Sequence, residues 1–120
     1  MRNAILAAAL VLTTTANAQP VSDQYRRAFV QEHGAQYAAM CTRAVAQSAP
    51  RLTQSQRDRF CRCQMGLFTE NMNEREADAL LAELRGRQTL EQMEASQAIL
   101  DRLDNALNER CIAPILRELQ

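Results

Sequence analysis

The sequence predicts an all-α domain, a small bundle of four to five helices stapled by two disulfides, made as a precursor for export. Three observations predict it. Apolar residues recur at helical spacing, and no window shows sustained strand alternation. Helix-capping patterns punctuate the chain. Four cysteines follow a leader of the secretory type, an even count that reads as a disulfide framework in an exported protein.

The leader is residues 1–18. Arg2 supplies a positive n-region, Ala4 to Leu12 an apolar h-region, and Ala16-Asn17-Ala18 a small-x-small cleavage signal, so the mature chain is expected to start at Gln19. The apolar run falls short of the roughly 20 residues needed to span a bilayer, and no later stretch is longer, so no integral membrane segment is expected after cleavage. Residues 19–120 then form one domain by length. A chain this short buries only about 60 to 70% of its unfolded surface, which makes covalent staples valuable.

Ser22-Asp23 can cap a first helix carrying Tyr25, Phe29 and Val30. Tyr37, Cys41, Ala44 and Val45 continue the spacing beyond Gly34, and Ser48-Ala49-Pro50 stops it. Whether 23–47 is one kinked helix or two short ones is open at this level. Thr53-Gln54-Ser55-Gln56 fits a capping box, in which the threonine side chain and the third helical residue each satisfy a backbone N–H of the other. The following helix holds Phe60, Cys61, Cys63, Met65, Leu67 and Phe68. Asn73 to Glu76 repeats the pattern ahead of Ala77, Leu80, Leu81 and Leu84, and Gly86 is placed to end that helix. Thr89 to Gln92 opens a longer one, with Met93, Leu100, Leu103 and Leu107 expected as its buried stripe. Pro114 cannot continue this ladder without a kink, and Ile112, Ile115, Leu116 and Leu119 are expected to pack back on the bundle as a short apolar tail.

Cys61 and Cys63 leave a helix about 200° apart, so a bond between them would distort the backbone and each should reach a different partner. If the helices flanking Pro50 form an antiparallel hairpin, Cys41 falls opposite residue 60, within a turn of both. The preferred pairing is Cys41 with Cys61 and Cys63 with Cys111, and the crossed assignment stays open.

All fourteen basic residues are arginines, and the whole chain is formally neutral; loss of Arg2 leaves a mature domain near −1. Such a balance gives no general attraction to nucleic acid or an anionic membrane. The charges are unevenly placed. Arg43 to Arg62 holds five arginines against Asp58, and Glu70 to Glu109 ten acids against four arginines, a dipolar distribution suited to orienting a partner or to holding the domain's own helices together.

No catalytic set stands out. His33 is the lone histidine, Ser22, Ser48, Ser55 and Ser96 sit at caps, turns or polar faces, and the many carboxylates carry no aromatic platform beside them. No phosphate-cradling loop, haem-attachment or zinc-protease motif occurs, and no cofactor is expected. The expectation is a non-enzymatic periplasmic or secreted protein that binds another envelope or secreted protein as an inhibitor, immunity, accessory or stress factor. Arg51, Arg57, Arg59 and Arg62 are the candidate partner-binding residues. The alternative is a soft-metal site for copper or zinc, or a thiol redox site, built from Met40, Cys41, Cys61, Cys63 and Met65, since soft sulfur ligands favour Cu(I) and zinc. Methionines at helical spacing more often fill a core.

Overall fold

A computed structural model describes residues 19–120; the expected leader, residues 1–18, lies outside the described residues. Five α-helices follow one another: α1 (Asp23–Ser48), α2 (Gln54–Asn71), α3 (Glu74–Leu84), α4 (Leu90–Leu107) and α5 (Ala113–Glu118), with a π-helical segment at Asn108–Ile112 between the last two. There is no strand among the described residues.

The starts of the helices follow the local chemistry. Ser22 accepts the Tyr25 N–H at 3.1 Å, capping α1. Thr53, Asn73 and Thr89 each form a complete capping box, with Gln56, Glu76 and Gln92 returning the bond. α3 ends in a Schellman arrangement, in which Gly86 N–H donates to Glu83 O and Arg87 N–H to Ala82 O. Gly86 has φ +71°, the left-handed conformation that glycine adopts without a Cβ clash.

α1 is one continuous helix. A mid-helix glycine costs only about 1 kcal/mol, and Gly34 sits where α1 and α2 approach closely: a Cβ there would lie 3.5 Å from Val30 Cγ1 and 3.7 Å from Met65 Sδ. α1 and α2 form the antiparallel hairpin expected about Pro50, and α3 and α4 form a second. α2 is central, packing against α1 on one flank and against α4 and the π-helical segment on the other. Ahead of α1, the Val21 N–H donates to Met72 O at 2.9 Å, tying the start of the domain to the α2–α3 junction.

Two disulfides are present, Cys41–Cys61 and Cys63–Cys111. Cys61 and Cys63 leave α2 on different sides, the first closing the α1–α2 hairpin and the second holding the π-helical segment. Disulfides of this kind persist in oxidising surroundings and point to a compartment outside the cytoplasm. Among the described residues no helix is long and apolar enough to cross a membrane.

The core joins Phe29, Tyr37, Leu67, Phe68, Met72, Leu80, Ile99, Leu103 and Leu107 around the cystines, and Met72 is wholly enclosed. Two expectations need correction. The buried stripe of α4 is Ala95, Ile99, Leu103 and Leu107, whereas Met93 is 50% exposed and Leu100 38%. Stepping by four from Leu107 passes through Leu103, Ile99 and Ala95, and the larger side chains of Met93 and Leu100 fall off that line. The terminal tail is only half docked: Ile115 is buried, but Leu116 and Leu119 are 53% and 50% exposed. The α4 ladder does not run unchanged to Pro114: the π-helical turn at Asn108–Ile112 interrupts it, and the proline falls in the first turn of α5.

Candidate binding groove

The two hairpins and α5 enclose an apolar groove of about 780 Å³. α1 contributes Tyr37, Met40, Cys41, Ala44, Val45 and Ser48, one helical face at steps of three and four. α2 contributes Phe60, Gln64 and Phe68 by the same rule, and the enclosed Met72 lies behind them just past its end. The opposite wall comes from Leu80 of α3, Ile99 and Leu100 of α4, and Ile112, Ile115, Leu116 and Leu119 from the end of the chain. The half-exposed leucines, Leu116 and Leu119, therefore stand on the lip of this concavity.

A few polar groups meet the apolar lining. Glu76 and Glu83 of α3 and Ser96 of α4 border one end. The Glu76 carboxylate is almost wholly buried and already engaged: Arg102 donates to both its oxygens, at 2.6 and 2.8 Å, and the Asn73 N–H donates to it at 3.0 Å. Tyr37 is 3% exposed. Burial holds its phenol well above the usual tyrosine range, and the nearby Glu83 carboxylate adds to the shift. At the other end, where Ser48, Pro50 and Leu52 form the turn, Arg51 borders the groove. It is exposed and makes no ion pair with a described residue.

The four candidate arginines do not gather into one patch. Arg51 alone borders the groove. Arg57 donates to the Pro50 carbonyl at 3.1 Å and so braces the turn, while its Nε is buried without an acceptor. Arg59 donates to both carboxylate oxygens of Glu118, at 2.6 Å to Oε1, fastening the end of α5 to α2. This contact raises the arginine and holds the Glu118 carboxyl below its ordinary range, chiefly through the hydrogen bond. Arg62 borders a separate shallow hollow with Arg26, Arg27 and Glu70. Among the described residues no ion pair joins the arginines of 43–62 to the acids of 70–109: Arg59 pairs with Glu118, Arg26 with Glu70, and Arg102 with Glu76 inside the acidic stretch itself.

The sulfur-bearing residues are also dispersed. All four cysteines are in disulfides, so no thiolate is present in this oxidised form. Met40 lines the groove, whereas Met65 lies against Gly34 and the second hollow. Among the described residues no group of three or more His, Cys, Asp or Glu side chains is arranged to hold a metal ion. His33 packs edge-on against Phe29, with ring centroids 5.2 Å apart, and its Nε2 lies 3.4 Å from Glu32.

The groove itself was missed in the sequence, because Tyr37, Phe60 and Phe68 at helical spacing read as core. The available signal was the terminal Leu116 and Leu119, apolar residues on a segment too short to bury both. Comparison with protein-family models, curated proteins and solved structures returned no match.

Proposed function

We propose that the mature domain is a non-enzymatic protein of the periplasm or of the secreted fraction, and that it acts by binding another protein through the apolar groove. The observation that carries this reading is the concave apolar surface with exposed leucines on its lip. A continuous exposed apolar surface on a small domain marks an interaction site far better than scattered single residues do. The export-type leader pattern and the two disulfides support the compartment. Two staples, one across the α1–α2 hairpin and one from α2 to the π-helical segment, support the groove walls before a partner arrives, which lowers the ordering cost of binding.

Site-specific photocrosslinking tests the proposal. A photoreactive residue replacing Leu116 or Leu119 should yield a discrete protein adduct in an unreduced envelope or secreted fraction. One replacing Gln97, exposed on α4 away from the groove, should not. Absence of an adduct from both lip positions, or an equal adduct from position 97, would overturn it.

A further inference from the structure

We infer that the groove receives a single amphipathic helix of the partner protein, about three turns long, with an acidic side chain set against Arg51. This rests on the protein-binding reading above and names the element that docks. α2 is the floor, with α1 rising on one flank and α4 with α5 on the other; α1 and α4 each pack on α2 but hardly on each other, which leaves a trough between them. Eleven residues of helix separate Tyr37 from Ser48, so the α1 wall runs about 17 Å, the length of three helical turns. Toward the Arg51 end that wall carries the small side chains of Ala44 and Ser48, shallow enough for a facing helix to seat its ridge.

Width separates a helix from a slimmer occupant. Leu100 and Leu116 border the trough at 38% and 53% exposure. A helix, about 10–12 Å across with its side chains, covers the lip leucines, whereas an extended chain lying on the floor leaves them wet. The polar groups supply polarity along the axis. Arg51, exposed and without an ion-pair partner among the described residues, asks for a carboxylate at the turn end. At the other end the trough is bordered by the exposed Glu83 carboxylate, which disfavours a second acid there.

The probe is a labelled amphipathic peptide of about fifteen residues, with leucines at steps of three and four and one terminal glutamate. Its binding to the oxidised mature domain is read by fluorescence anisotropy. Saturable binding is expected, with an isomer of the same composition but dispersed leucines at least about tenfold weaker. Ala44→Trp fills the trough from an exposed helical position and should remove binding while the thermal midpoint stays close to that of the parent. Arg51→Glu should weaken the glutamate peptide about fivefold, as expected for a solvent-facing ion pair, and leave a glutamine counterpart unchanged. Equal binding of the two isomers overturns the inference. So does uptake of a fluorescent long-chain fatty acid, blocked by Ala44→Trp, with no peptide binding. If the peptides fail while Leu116 still crosslinks to a protein, the helix is wrong and the protein-binding reading stands; if crosslinking fails as well, both fall.

Discussion

Arg102 on α4 holds the carboxylate of Glu76 in α3 from both sides, although one partner is nearly half exposed and the other only 4%. Glu76 also completes the capping box of its own helix, and Arg102 donates further to Asn71 O at 3.2 Å, so one ion pair joins the end of α2, the start of α3 and the middle of α4. Removing only the arginine strands a buried charge. Arg102→Met should destabilise the domain by about 2–3 kcal/mol, below the usual range for fully buried pairs because the arginine is partly solvated. Adding Glu76→Gln should restore part of that loss. Urea unfolding of the single and double variants checks this, and strict additivity would count against the coupling.

The cystines should contribute unequally. Cys63–Cys111 closes a separation of 48 residues and Cys41–Cys61 one of 20, and loop-closure entropy assigns them about 4 and 3 kcal/mol. Replacing Cys63 and Cys111 by alanine should therefore lower the denaturation midpoint more than replacing Cys41 and Cys61. Both together should approach the whole stability of a domain this size, which is typically about 5–15 kcal/mol. Calorimetry of the two double variants and the quadruple variant checks the order.

Acid should loosen α5 before it unfolds the bundle. The Glu118 carboxyl is held below its ordinary value by Arg59, so the contribution of this contact is complete above the unfolded value and is lost as pH falls through the lower folded one. The amide protection factors across residues 113–119, that is, exchange taken relative to the intrinsic rate at each pH, should fall as the solution is taken below about pH 4.5, while α2 and α4 stay protected. In Glu118→Gln the protection should already be lower at neutral pH and lose this pH dependence. A uniform loss of protection along the chain would contradict the assignment.

The glycines give opposite signs. At Gly34 an added Cβ meets Val30 and Met65 at ordinary contact distances, so Gly34→Ala should stabilise by about 0.5–1 kcal/mol through helix propensity. At Gly86 the backbone is left-handed, and Gly86→Ala should destabilise by about 1 kcal/mol despite open space around it. Thermal midpoints of the two variants decide the matter.

Much of the fold was legible because it is written in local chemistry. Ser22, Thr53, Asn73 and Thr89 mark helix starts through their own side chains, Gly86 marks an end, and the i to i+2 spacing of Cys61 and Cys63 excludes their mutual bond. The α1 outcome at Gly34 was not legible, since a cost of about 1 kcal/mol for a mid-helix glycine is small enough for packing along the rest of the helix to outweigh. The same holds for the α4 stripe, where Ile99 and Ala95 are chosen over Met93 and Leu100 by the direction from which α2 and α3 pack. The site was harder still. A tyrosine or phenylalanine at helical spacing looks the same whether its neighbour belongs to the chain or must be brought to it, and the partners of Arg57 and Arg59 lie at Pro50 and Glu118, outside any motif.

The widened turn at Asn108–Ile112 has a consequence for the last helix. Each residue of an α-helix advances the side chains by about 100°, so one residue accommodated as extra rotates everything downstream by roughly a quarter turn. Leu103 and Leu107, before the turn, are buried away from the groove, while Ile115, Leu116 and Leu119, after it, border the groove. Cys111 sits inside that turn and is bolted to α2. The orientation of the chain's end is thereby fixed by a phase slip that a covalent bond locks.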